Sequence, residues 1–76
     1  MALQDVRKKK NLTVKELGAI SGLNYRSLQN FESGFRNINT TSLDTLCRLA
    51  IALDCTVFDL LTDDDLKIKL KLALKL

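Results

Sequence analysis

Four punctuation marks divide the stretch TVKELGAISGLNYRSLQNFESG, Thr13 to Gly34, and they constrain the fold more than anything else in the chain. Thr13-x-x-Glu16 is a capping box, the signature of a helix start. Gly22 stands where a helix end takes a left-handed residue. Asn24 is a good N-cap for a second helix, and Gly34 closes it. The stretch therefore predicts two short helices joined by a tight turn. Leu17, Leu28 and Phe31 would fill the seam between them, with Val14 and Ile20 assisting. Gly18 is small where the two helices would approach closely.

Further helices flank this pair. One is predicted over residues 3–10, with Leu3 and Val6 inward and Arg7-Lys8-Lys9-Lys10 at the end that favours cations. After a polar loop over residues 35–41 pinned by Ile38, a helix over 42–53 carries Leu43, Leu46, Cys47, Leu49, Ala50 and Leu53 as a broad apolar stripe. Thr56-x-x-Asp59 caps a last short helix, with Val57, Leu60 and Leu61 inward. Residues 1–62 thus read as an all-α domain of five helices. Asp63-Asp64-Asp65 reads as a solvated linker, because three adjacent carboxylates do not converge easily on a metal.

The tail, LKIKLKLALKL, alternates apolar residues and Lys with a period of two, broken only by Ala73. Wound as a helix it would scatter leucines around the axis, so the pattern predicts a β-strand. A lone strand needs a partner. The preferred reading is a dimerisation strand that pairs with its two-fold mate through Leu66, Ile68, Leu70, Leu72 and Leu74, with the lysines toward water. Two others stand beside it: an end that is disordered or ordered only by another protein, and a binder of anionic surfaces. Residues 63–76 are accordingly read as acidic linker plus dimerisation strand.

Composition narrows the functional classes. The 76 residues suffice for one domain with a marginal core. The chain has no His and only two cysteines, Cys47 and Cys55, eight positions apart. No zinc pattern, His-based catalysis or cofactor is implied, and Cys47 is read as reduced core in a cytoplasmic protein. No apolar run is long enough for a bilayer, and no signal-peptide core is visible, so no membrane role is expected. The formal charge of +3 is segregated into +4 over residues 1–37, −5 over 38–65 and +4 over 66–76. Such segregation points the first part toward a polyanion.

The outward face of the second motif helix gives that polyanion an identity. Arg26, Gln29, Asn30 and Ser33 line up at i, i+3, i+4 and i+7, where a solvated face would carry Glu and Lys. Arg26 can fork onto guanine, and Gln29 and Asn30 can pair with adenine. Each good pair discriminates by about 1–3 kcal/mol. Tyr25 and Ser27 sit near the helix start, within reach of bases or phosphates. No phosphate-cradling glycine loop and no nucleophile in a basic setting argue for an enzyme.

With LTVKELGAISGLNYRSLQNFESG and LCRLAIALDCTVFDLL, the chain resembles the Cro/cI-type (XRE-type) helix-turn-helix repressors over about residues 3–61. The resemblance implies a compact, five-helix, phage-repressor-like domain that binds double-stranded DNA as a homodimer. By position it implies base contacts from Tyr25, Arg26, Ser27 and Asn30, and phosphate contacts near Thr13 and from Arg36 and Asn37. It also implies a partly buried ion pair between Arg7 and Glu32. Lys10 is assigned to phosphate by its place beside the motif. Val14 departs from the polar residue usual at its position, Gly18 from Ala, Ser21 from an apolar residue, and Asn39-Thr40-Thr41 from the usual Pro. The expectation is a transcriptional repressor on an inverted repeat. The alternative is a protein-interaction module, antitoxin-like, whose C-terminal segment binds a partner.

Overall fold

Thr13 opens the central motif as its spacing requires: its hydroxyl accepts the Glu16 N–H at 3.0 Å while its own N–H donates to the Glu16 carboxylate at 2.9 Å. The chain, described for residues 2–76 in a computed structural model, runs through α1 (Ala2–Lys9), α2 (Val14–Ser21), α3 (Tyr25–Ser33), a 3-10 turn (Ile38–Thr40), α4 (Leu43–Leu53), α5 (Val57–Leu60) and α6 (Asp64–Leu74). Caps explain most of these boundaries. Asn24, Ser42 and Thr56 each accept a first-turn N–H, and Gly22 and Gly34 end their helices with positive φ.

The core lies where these helices cross. Leu17, Leu28, Phe31, Leu49, Leu53, Leu60 and Leu61 are buried at its centre, with Leu3 and Ile38 closing it. α2 packs on α3 and α4, and α1 bridges α3 and α5. Gly18 lies close against the α2–α3 turn. A Cβ there would stand 3.1 Å from the Leu23 carbonyl and 3.6 Å from Leu28 Cδ1. Ser21, buried before the turn, accepts the Leu23 N–H at 3.3 Å, which accounts for a hydroxyl at an apolar position.

One ion pair ties the first helix to the third. Arg7 donates through Nε to Glu32 Oε2 at 2.6 Å and through Nη2 to Oε1 at 2.8 Å, and its Nη1 reaches the Leu12 carbonyl at 2.7 Å. The side chains are only 10% and 8% exposed. The Glu32 hydrogen bonds raise the Arg7 pKa above its ordinary value, so the guanidinium remains charged.

The structure corrects the expectations for the tail, for α4 and for Ile20. The tail is a helix rather than a strand, and with it the linker disappears. Asp63 caps α6 by accepting the Leu66 N–H, and Asp64 and Asp65 occupy its first turn, where carboxylates favour the helix dipole. Asn39 clamps the entry: its Oδ1 accepts the Thr62 and Asp63 N–H groups, and its Nδ2 donates to Thr62. Leu, Lys and Ala are strong helix formers. A helix also satisfies its own backbone, which an unpaired strand cannot do. Leu66 and Leu70, one turn apart, pack against the core.

Cys47 is exposed, not core, and Leu43 is 65% exposed. Leu46, Leu49, Ala50 and Leu53 fill the seat that α4 offers to the core, leaving the other edge of the stripe outside. Ile20, expected to assist the α2–α3 seam, is 58% exposed. Cys55 is half-buried, and burial pushes its thiol pKa up.

Two stability outcomes are expected. Glu32→Leu leaves a buried guanidinium without its carboxylate and should cost about 3–5 kcal/mol by urea unfolding, part of it regained in Arg7→Leu/Glu32→Leu. A loss under 1 kcal/mol would contradict the role given to the pair. The Thr13 and Thr56 hydrogen bonds hold the Glu16 and Asp59 carboxyls below their ordinary pKa values. A carboxyl lowered by folding stabilises fully above its unfolded pKa and loses that contribution as pH falls through the folded value. Glu16→Gln, which removes the carboxylate that the Thr13 N–H holds, should therefore lower the melting temperature at pH 7 by more than at pH 2–3, with thermal melts across pH as the measurement.

Candidate nucleic-acid interface

α3 is held on every side but one. Asn24 Oδ1 accepts the Arg26 N–H at 2.8 Å and fixes where the helix begins. Leu28 and Phe31 are buried against the core, and Glu32 is locked to Arg7. The remaining face carries exposed Arg26 and Gln29 and half-buried Asn30. The side chains of Arg26 and Asn30 take no partner among the described residues, which leaves their hydrogen-bonding groups available. Gln29 differs: its Nε2 donates to the Tyr25 hydroxyl at 2.9 Å. Tyr25 is half-exposed at the helix start, and Ser27 is half-buried beside it.

Ser33 completes the stripe by spacing but has another job. Its hydroxyl donates to the Asn30 carbonyl at 3.3 Å and accepts the Phe35 N–H at 3.4 Å, closing the helix end.

The flanks of this face carry donors suited to phosphate. Arg36 lies with its guanidinium 4.8 Å from the centroid of the Phe31 ring, a cation–π contact that anchors the charge to the core beside the end of α3. Its N–H donates to the Asn30 carbonyl at 3.0 Å. Asn37 caps the 3-10 turn through Oδ1, which accepts both the backbone and side-chain N–H of Asn39. Its own amide hydrogens have no partner among the described residues. The Thr13 side chain is committed to its capping box, so a phosphate at the start of α2 would meet backbone N–H groups and the helix dipole.

Lys10 is not brought to this face. With Lys9 it lines a separate cleft alongside Asp5, Asp54 and Asp59, where acidic neighbours compete for its charge. Gln4, by contrast, was not singled out from the sequence. It lines an open cleft of about 600 Å³ together with Val14, Gln29, Asn30 and Ser33, with Arg7 and Glu32 in its wall. Only its i, i+3 spacing from Arg7 could have signalled this.

The arrangement is a rigid helix presenting a fork and two amides between cationic and amide flanks. That is the chemistry of base edges framed by phosphates. A family model described as Helix-turn-helix matches residues 3–60. No curated protein and no solved structure gives a significant match. From the motif geometry and this match together, the chain belongs to the Cro/cI-type (XRE-type) helix-turn-helix family of DNA-binding domains.

Proposed function

We propose that this protein is a sequence-specific transcriptional repressor that binds an inverted-repeat operator as a homodimer. The observation that carries the reading is the α3 face, with Arg26, Gln29 and Asn30 pointing outward from a helix whose other side is fixed by Phe31 and the Arg7–Glu32 pair. Arg26, Asn30 and Gln29 read bases, with Tyr25 and Ser27 beside them. Arg36, Asn37 and the start of α2 at Thr13 hold phosphates. Lys10 adds long-range attraction only, given its acidic neighbours. The role is binding rather than catalysis, and repression follows if the occupied operator overlaps a promoter.

Support for a second copy comes from α6. Its Leu66 and Leu70 face the core, yet Ile68 and Leu72 on its far side are 58% and 72% exposed. Two large apolar side chains on the face turned away from the core are surface that a partner can cover. The occupant we assign is a second copy of this chain. α6 contributes three lysines, Lys67, Lys69 and Lys71, and residues 38–65 carry a net charge of −5, so a two-fold pairing that lays each α6 along the other copy's acidic segment is complementary twice over. Two recognition helices about 34 Å apart would then enter successive major grooves. The same exposed residues favour a second reading, capture of a different protein by α6 in the manner of an antitoxin. A chain that is monomeric by sedimentation would support it over the homodimer.

In-vitro selection from random duplex DNA near physiological salt tests the reading. An enriched inverted repeat is expected, and no enrichment would overturn it. On the selected site, Arg26→Ala should cost about 1–3 kcal/mol and relax one base pair, whereas Arg36→Ala should weaken all sequences alike and reduce the salt slope by about one. Ile68→Lys/Leu72→Lys should shift sedimentation toward monomer and leave half-site preference intact.

A further inference from the structure

We propose that Tyr25 acts through Gln29 rather than on a base itself: it fixes the orientation of the Gln29 amide and thereby makes that position of the operator an adenine. The proposal rests on the DNA-reading role of α3.

The observation is the hydrogen bond from Gln29 Nε2 to the Tyr25 hydroxyl, 2.9 Å long and one helical turn apart. Of the three residues assigned to base edges, Gln29 alone has its side chain held; Arg26 and Asn30 have no side-chain partner among the described residues. A primary amide carries one acceptor oxygen and two hydrogens on nitrogen. With one hydrogen given to Tyr25, the other remains beside Oε1. The free edge of the amide is then one donor next to one acceptor. In the major groove adenine offers the complement, an acceptor at N7 beside a donor at N6. Guanine offers two acceptors, O6 and N7, and fits a Gln only if the amide turns over to show two hydrogens. Tyr25 opposes that turn once its own hydrogen is given to a phosphate oxygen of the bound DNA, because its hydroxyl can then only accept, and only the amide nitrogen can donate to it.

Two consequences follow from the placement. Tyr25 sits at the first residue of α3, whose start is set by the Asn24 cap, so its hydroxyl is held at a fixed height relative to Gln29. The hydroxyl also keeps its own hydrogen, which remains available to a phosphate oxygen. A long, exposed Gln would otherwise lose rotamer freedom on binding, and prior fixation removes part of that loss.

The test uses the full chain and three forms: the natural protein, Gln29→Ala and Tyr25→Phe. Selection from random duplex DNA identifies the position whose preference disappears in Gln29→Ala. That position is expected to be adenine in the natural protein and to broaden to adenine and guanine in Tyr25→Phe. Placing 7-deazaadenine there should weaken the natural protein roughly tenfold and Gln29→Ala hardly at all. The melting temperature of Tyr25→Phe should be unchanged within a few degrees, since the hydroxyl is at an exposed position. The proposal fails if Tyr25→Phe keeps the full preference for adenine over guanine, or if it weakens every sequence equally, as a phosphate contact alone would. A motif enriched by the natural protein with no adenine at the Gln29-dependent position also overturns it, while the DNA-reading role survives. No motif at all removes both.

Discussion

The bidentate contact between Arg7 and Glu32 is the constraint on which the rest of the arrangement depends. The helices are short, and the core between them is largely leucine, which packs without strong directional preference. A planar guanidinium meeting a carboxylate through two bonds is directional. Because its third contact is the Leu12 carbonyl, the same side chain sets the chain's exit from α1 and the entry of α2. Glu32 lies next to Phe31 on α3, so the ion pair and the core contact together fix that helix's rotation. The outward aim of Arg26, Gln29 and Asn30 follows from that rotation and does not need contacts of their own.

A second consequence concerns charge. Arg7 is neutralised inside the fold, so the positive character of the first 37 residues is expressed elsewhere. Arg36 is carried on the Phe31 ring at one end of α3, while the Arg26 side chain at the other has no partner among the described residues. Lys9 and Lys10 are turned toward Asp54 and Asp59. The charge that faces a ligand on α3 is thus concentrated in two arginines, residues that favour planar, bidentate contacts with guanine and phosphate.

The motif was readable because its signals are local. Caps at Thr13, Asn24 and Thr56 and turns at Gly22 and Gly34 depend on neighbours a few residues away, and each lies where its spacing predicted. The tail is less legible because its period-two alternation states only which residues share a face, while the helix propensity of its Leu, Lys and Ala points the other way. The Asp63 cap, the acids of the first turn and the Asn39 clamp decide for α6, and the last of these comes from a residue far away in sequence. Cys47 and Ile20 illustrate a different limit. Periodicity identifies an apolar stripe but not how much of it the core can cover, and α4 has more apolar surface than its neighbours hide. The pairing of Gln29 with Tyr25 has the spacing of any i, i+4 pair and becomes informative only with its geometry.

The central claim is that the outward face of α3 and its flanks meet DNA. The most direct measurement is an amide chemical-shift titration of the isotope-labelled chain with a duplex at low salt, repeated as salt is raised. The account predicts shifts concentrated at Val14, from Tyr25 to Asn30, and at Arg36 and Asn37, fading together as salt increases. Shifts confined to the lysines of α6, or to the cleft of Lys9 and Lys10, would contradict it.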